Sequence, residues 1–430
     1  MKQVVAHAQA FVGVPELPPD KSIAHRAAMI SAISDGVSRI VNYPSSADPQ
    51  STLSCLRQLG VSVTFEETGD DGGIMVVQGV GLRGLKAPSR QLDCGNSGTT
   101  MRLLSGILAG QGFESKLVGD DSLSSRPMER IAEPLRRLGA SVSTTDGHAP
   151  IVIGGGKLHG VHFETPVRSA QVKSAILLAG LYADGETSVT EAAPTRDHTE
   201  RMLGLSAIQI GGQRVINVQP IKRIPSRTWT VPSDFSAAAF FIVAATVLEN
   251  AKSIMMGVGL NPTRSALLDV LKAMGAKIGI SNERERGGEP IADLQIESAA
   301  LSGVVIDEAL IPNLIDELPI LAVAATQAEG RTLVRGAGDL RNKESDRIDA
   351  VCVNLRALGA SVEEFDDGFA ITGPTKLTGT TVSSYHDHRI AMSMGVAGLI
   401  ASGETTVENS ECVAISFPGF WDELEKMSIV

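Results

Sequence analysis

The octapeptide Leu355-Arg356-Ala357-Leu358-Gly359-Ala360-Ser361-Val362 decides the fold, because the chain repeats it. Close copies run Leu56–Val63, Leu135–Val142 and Leu271–Ile278. Met202–Ile208 is a degraded copy and Phe420–Met427 a truncated last one. In the copies that carry the glycine, apolar residues at helical spacing lead into a left-handed glycine C-cap, and a β-rich run follows. A second pattern interleaves with the first: an apolar, small-residue helix, then Gly or Asn, then a β-rich run. Its pivots are Gly36, Gly112, Gly185, Asn250, Gly330 and Gly403, spaced 65 to 80 residues apart. Such a period marks one supersecondary unit used several times. Each unit reads strand–helix–strand–helix–strand, with room for one more strand. Six units predict an α/β (α+β) protein of two domains with three units each, and 430 residues exceed what one core serves. The first helix of each unit is rich in Ala, Gly and Ser and poor in charge, so it is expected inside.

Fourteen residues before the pivots stand Ser22, Gly98, Gln171, Ser236, Asp316 and Arg389. Each lies at or near a helix start, in a polar or glycine-rich cluster. Capping accounts for Ser and Asp at such places. It does not account for Lys21, Gln171 or the His388-Arg389 pair. If symmetry brings these helix starts together, their free N–H groups favour an anion. Lys21, Arg26, Arg102, Arg126, Arg196, Arg264, Lys343, Arg347 and Arg389 all lie near such starts, and arginine forks match carboxylate and phosphate oxygens in pairs. A ligand with several separate anionic groups is implied. The charged run Lys343-Glu344-Ser345-Asp346-Arg347 precedes a helix expected from Ile348 to Leu358, with Ser345 or Asp346 as N-cap. Asp316 and Glu344 are candidates for proton transfer, ionised beside so many cations. His388 is a candidate base or ligand. His386 and His388 lack the spacing and partners of a metal site. Gly154-Gly155-Gly156-Lys157 lacks the phosphate-loop frame and reads as a turn.

Composition narrows the function class. Only 4% of residues are aromatic, too few for a single-strand stacking platform. A net charge of −11 opposes any broad nucleic-acid or anionic-membrane surface, while leaving room for a local cationic cluster. No apolar run is long enough to span a bilayer, and Met1–Pro15 has no continuous apolar signal core. Cys55, Cys94, Cys352 and Cys412 form no C-x-x-C pair, which fits reduced thiols in a cytoplasmic protein.

Nine stretches, in order from residue 19 to residue 392, resemble the 5-enolpyruvylshikimate-3-phosphate synthase family of the shikimate pathway. They are Pro19–Arg26, Asp93–Thr99, Gly119–Met128, Ser169–Ser174, Thr195–Glu200, Asn261–Arg264, Leu314–Glu317, Lys343–Arg347 and Asp387–Met392. The Ser169-Ala170-Gln171 form and Thr195–His198 look like the family's second class, which includes glyphosate-insensitive members. The resemblance implies the enolpyruvyl transferase fold, an inside-out α/β barrel of two pseudo-threefold domains, each of three βαβαββ units. It places residues 1–18 with 238–430 in one domain and 19–237 in the other, with a cleft between them that closes on substrate.

It also implies the reaction: transfer of the enolpyruvyl group of phosphoenolpyruvate to the 5-hydroxyl of shikimate 3-phosphate, on the way to chorismate and the aromatic amino acids. No metal or organic cofactor is implied, and a cytoplasmic monomer without nucleic-acid or membrane partners is expected. Carried over by motif, Lys21, Ser22, Arg26, Ser169, Ala170, Gln171, Arg196, Asp316 and Lys343 would hold shikimate 3-phosphate. Lys21, Asn96, Gly98, Arg126, Gln171, Lys343, Arg347 and Arg389 would hold phosphoenolpyruvate. Asp316 would take the hydroxyl proton, Glu344 with Lys21 would protonate the methylene carbon, and His388 would position the leaving phosphate. Two residues depart from the family pattern. Ile415 stands where some members have a phosphate-contacting lysine, and Asn342 replaces an apolar residue. The alternatives are the sister enzyme acting on UDP-N-acetylglucosamine, whose mobile loop carries a cysteine where this chain has Ser122, Ser124 and Ser125, and a noncatalytic anion-binding module. The presence of both Asp316 and Glu344 opposes the second.

Overall fold

The computed structural model describes residues 1–66, 73–165, 169–191 and 193–430. They form two units: an N unit of Pro19–Pro232 with Glu285–Glu289, and a C unit of Met1–Pro18, Ser233–Arg284 and Pro290–Val430. The chain thus passes between units after Pro18 and again after Pro232, the second time ahead of the expected residue 237.

Each unit is built on three sheets, which in the N unit share one strand plan. In the N unit, Thr228–Thr230 runs parallel to Asp35–Val41, which is antiparallel to Ile74–Val80, itself antiparallel to Ser62–Glu66. Leu92–Asp93, Glu114–Val118, His148–Gly154 and Ser141–Thr145 repeat the plan. So do His162–Glu164, Thr187–Glu191, Gln213–Val218 and Ala207–Ile210. The last strand of the unit therefore returns to the first sheet, which closes the threefold arrangement.

The C unit varies this plan, with one sheet of three strands and one of five among the described residues, and strands borrowed from the chain start. Ala10–Gly13 lies parallel to Lys252–Gly259, and Lys2–Ala6 lies antiparallel to Glu404–Glu408. Leu301–Ser302, Ala328–Val334, Gly368–Gly373 and Ser361–Phe365 make the remaining sheet. The truncated final repeat is a helix followed by Ser428–Ile429, which pairs with Ala10–Gly13.

The two sequence patterns become two sets of helices. In the N unit these are α1 (Lys21–Ala32), α2 (Ala47–Gln58), α3 (Gly98–Ala109), α4 (Glu129–Arg137), α5 (Ala170–Gly180) and α6 (His198–Leu203). In the C unit they are α7 (Phe235–Val247), α8 (Ala266–Met274), α9 (Leu318–Ala325), α10 (Arg347–Ala357), α11 (His388–Ile400) and α12 (Phe420–Met427). The first helix of each repeat (α1, α3, α5, α7, α9, α11) lies inside. Every residue of α7 from Phe235 to Thr246 is buried, as is all of α9. A helix apolar all round can only be accommodated this way. Small residues permit the close approach: a Cβ on Gly106 of α3 would lie 2.3 Å from the Ala175 carbonyl oxygen of α5. The second helices end where the repeated glycine predicts, since Gly60, Gly139, Gly204, Gly275 and Gly359 all have φ between +68° and +108°.

Each unit has its own apolar core. In the C unit Phe11, carried by the N-terminal strand, packs on Phe241 with ring centroids 6.2 Å apart. All four cysteines are buried and unpaired in disulfides. Among the described residues, no helix is long and apolar enough to cross a membrane. Gly155–Lys157 has no regular structure.

Candidate active site

Helix starts carry the polar residues in both units, and side-chain caps explain why the helices start there. Asp20, Ser97, Ser169, Asp234 and Asp387 each accept a hydrogen bond from a backbone N–H in the first turn that follows. The sixth helix, α9, begins after Glu317 with Pro319 in its first turn and no such cap. Asp316 therefore lies just outside its helix.

In the N unit, Lys21 opens α1 and its ammonium sits 3.0 Å from Asp48 Oδ2. One turn on, Arg26 is buried. It donates from Nε to Thr199 Oγ1 at 2.7 Å, from Nη1 to the Ser22 carbonyl at 2.9 Å and from Nη2 to Ser174 Oγ at 3.0 Å. Burial lowers the Arg26 guanidinium to about 10, against the pull of Glu200, Asp20 and Glu289, and Arg196 adds repulsion. A second group gathers at the start of α3. Arg126 Nη2 donates to Asn96 Oδ1 at 2.7 Å and to Ser122 Oγ at 3.1 Å. Gln171, in the first turn of α5, accepts from Arg102 Nη1 at 2.6 Å and donates to Thr99 Oγ1 at 3.1 Å. A hydroxyl chain joins the two groups: His25 Nδ1 to Thr52 Oγ1 at 2.7 Å, Thr52 to Thr100 at 2.7 Å, and Thr100 to Ser97 Oγ at 2.8 Å.

That chain has a pH signature. Burial first, then the charges of Lys21 and Arg26, hold the His25 imidazole well below its usual value. The unfolded chain takes up a proton near pH 6.5 that the folded chain refuses, so stability is intact above about pH 6.5 and lost as pH falls below it. The urea midpoint of wild type should therefore drop between about pH 7.5 and about pH 5.5, and drop less in His25→Asn. Equal slopes for the two proteins would refute this.

In the C unit one guanidinium organises the acids. Arg347 donates to Asp316 Oδ1 at 3.3 Å, to Glu344 Oε2 at 2.6 Å, and in a fork to Asp387 at 2.8 and 3.3 Å. The Arg347 and Asp387 side chains are 1% and 0% exposed, whereas those of Asp316 and Glu344 are 16% and 17% exposed. The buried pair is thus the base of the cluster, and the two acids are its accessible face. Burial, the largest influence, would raise Asp387; the Arg347 charge and hydrogen bonds, with a smaller contribution from His388, together hold Asp387 below the usual carboxylate range. Burial likewise disfavours the Arg347 charge, but Asp387, Glu344 and Asp316 raise its pKa well above the ordinary guanidinium value. Arg389 donates from Nη1 to the Asp316 carbonyl at 3.0 Å. Lys343 is pushed down by burial, against the pull of Asp316. Glu317, hydrogen-bonded by Ser236, continues the cluster to Arg264, which lies 2.9 Å from both Ser236 Oγ and Asp234 Oδ1.

The nine motifs can be set against known proteins. A family model described as EPSP synthase (3-phosphoshikimate 1-carboxyvinyltransferase) matches residues 5–424. The chain belongs to the EPSP synthase family. Among relatives within it, a Salinibacter ruber protein named 3-phosphoshikimate 1-carboxyvinyltransferase is 54% identical over 433 residues, covering 100% of both chains. The solved EPSP synthase of Acinetobacter baumannii shares 44% identity and a TM-score of 0.86, over 100% of this chain and 98% of its own. The enolpyruvyl transferase NikO of Streptomyces tendae has a TM-score of 0.76 at 18% identity, over 99% of this chain and 96% of its own, which shows the shared fold. The EPSP synthase relatives support shikimate 3-phosphate as acceptor and give no support to the UDP-N-acetylglucosamine alternative.

Within each unit of this EPSP synthase family member, the expected residues fall into connected clusters. The N unit joins Lys21, Ser22 and Arg26 on α1, and Asn96, Gly98, Arg126 and Gln171 around the start of α3. Ser169 and Ala170 lead into α5, and Arg196 sits between the buried Thr195 and Asp197. The C unit joins Asp316, Glu344, Arg347 and Arg389, with Lys343 and the buried His388 beside them. Sequence reasoning missed Asp48 and Asp387 as partners. Asp387 was legible only as a cap, and a cap motif carries no sign of the arginine that reaches it from another helix. Arg347 was expected as a phosphoenolpyruvate ligand; its geometry adds the holding of Asp316 and Glu344.

Proposed function

We propose that this chain transfers the enolpyruvyl group of phosphoenolpyruvate to the 5-hydroxyl of shikimate 3-phosphate and releases phosphate. The observation that carries this reading is the single buried Arg347 that holds two accessible acids, Asp316 and Glu344, at 3.3 and 2.6 Å. Asp316 accepts the 5-hydroxyl proton as that oxygen bonds to C2 of phosphoenolpyruvate. Glu344, with the Lys21 ammonium as the source of the proton, protonates the methylene carbon. Elimination then returns a proton from the new methyl group to Glu344 and expels phosphate, whose departure His388 orients. General acid–base steps of this kind contribute about 10²- to 10⁴-fold each.

Lys21, Ser22, Arg26, Ser169, Ala170, Gln171 and Arg196, with Asp316 and Lys343, bind shikimate 3-phosphate. Lys21, Asn96, Gly98, Arg126, Gln171, Lys343, Arg347 and Arg389 bind phosphoenolpyruvate. The number of cations suits two phosphates and two carboxylates, whose mutual repulsion would otherwise be severe at low dielectric. A cytoplasmic monomer without nucleic-acid or membrane partners belongs to the same proposal, supported by the net charge of −11. The decisive experiment is phosphate release from the two substrates in chelator-treated buffer. No release at micromolar enzyme would reject the reading.

Gly98 supplies a sharper test of the phosphoenolpyruvate subsite. A Cβ there would lie 2.9 Å from Arg102 Nη1 and 3.5 Å from Arg126 Nη1. Arg102 is tied to Gln171, so it cannot simply swing away. Gly98→Ala should raise KM for phosphoenolpyruvate and weaken inhibition by glyphosate, which is slightly longer, by about tenfold, a displacement-sized effect. Unaltered KM and inhibition constants would contradict it.

A further inference from the structure

One buried cluster in the N unit has no role in the chemistry above. Lys173 of α5 is fully buried, and its ammonium meets Glu191 Oε1 at 3.0 Å, Glu200 Oε1 at 2.7 Å and the Thr195 carbonyl at 3.3 Å. Glu191 also accepts from the Thr195 N–H at 3.2 Å and from the Thr195 hydroxyl. Arg214 Nη1 donates to Glu191 Oε2 at 3.1 Å, and its other nitrogen lies 3.6 Å from Asp197 Oδ2. Arg201 Nε donates to Asp197 Oδ1 at 2.7 Å. Three cations thus face three carboxylates. Desolvating such a set is costly, and apolar side chains of similar volume would usually stabilise the fold as well or better. The cluster is therefore expected to specify a local geometry.

The geometry it specifies is that of Thr195–Glu200. Thr195 and Asp197, the neighbours of Arg196, are both clamped. Thr199, in the same segment, accepts from Arg26 Nε and donates to Ser174 Oγ, which accepts from Arg26 Nη2. Ser174 directly follows Lys173. Both arginines assigned to the acceptor therefore depend on this segment, whereas Arg126 and Asn96 are held by separate hydrogen bonds.

We propose that the buried Lys173–Glu191–Glu200 cluster is a positioning device that sets affinity for the phosphorylated acceptor by fixing the segment that carries Arg196 and seats Arg26. This rests on the assignment of shikimate 3-phosphate to those arginines. The test compares wild type, Lys173→Met and Lys173→Met/Glu200→Gln by steady-state kinetics, calorimetric titration with shikimate 3-phosphate, and thermal melting. The double variant keeps the Arg214–Glu191 pair and removes one buried charge of each sign, so it should melt near wild type even if the single variant does not fold.

In the double variant KM for shikimate 3-phosphate should rise about tenfold, as for a sub-ångström displacement of binding groups, with KM for phosphoenolpyruvate changed less than about threefold. An unchanged KM for shikimate 3-phosphate, or an equal rise for both substrates, would overturn the proposal. Failure of wild type itself to bind shikimate 3-phosphate would overturn the functional reading and this inference with it, a result distinct from any change confined to the variants.

Discussion

Asp316→Asn should leave shikimate 3-phosphate binding nearly intact and lower turnover by about 10²-fold or more, the usual contribution of a positioned general base. The amide keeps the size of the carboxylate and an oxygen to accept from Arg347, so the cluster retains its shape. It cannot take a proton from a hydroxyl. Arg389, which also hydrogen-bonds the Asp316 backbone carbonyl, stays anchored whatever the side chain. Calorimetric titration with the acceptor and single-turnover phosphate release separate the two effects. Turnover equal to wild type would remove Asp316 from the mechanism.

Arg347→Met should destabilise the C unit by about 3–5 kcal/mol, the range for breaking a buried ion pair from one side. Asp387 has no exposure, so its charge would stand in a dry core without the fork that now holds it. The variant also changes the acid limb. Asp387 titrates lower in the folded chain than unfolded, so its contribution is present above about pH 4 and is lost as pH falls through the lowered folded value. Without Arg347 that advantage disappears, and Asp387 would be expected to protonate at higher pH. Urea unfolding followed at several pH values checks both points. A midpoint equal to wild type at neutral pH would show that Asp387 and Glu344 find other counter-charges.

Much of the fold was legible because its punctuation is local. A glycine with positive φ after every second helix but α12, and a Ser or Asp before most first helices, are readable from short windows, so the starts of α1, α3, α5, α7 and α11 come within a residue or two. The Lys343–Arg347 run was readable as a helix start, and Asp346 does cap α10. Partners across helices were not readable. Arg347 and Asp387 lie 40 residues apart, and only the return of the chain makes them a pair. The burial of Lys173 was not readable either, because the glutamates that permit it come from other elements. Asp316 was expected at or near a helix start and lies two residues before α9, which begins at Leu318 without a side-chain cap.

The two strands at the very beginning of the chain have a consequence for biosynthesis. Lys2–Ala6 must wait for Glu404–Glu408, and Ala10–Gly13 for Lys252–Gly259 and then Ser428–Ile429, while Pro19–Pro232 leaves the ribosome as an uninterrupted segment with nearly all of its strands. At ordinary translation speeds the first strand stays unpartnered for roughly 20 to 80 s. Lys2 and Gln3 head that strand, and a charged lysine on an unmatched edge resists pairing with other nascent chains.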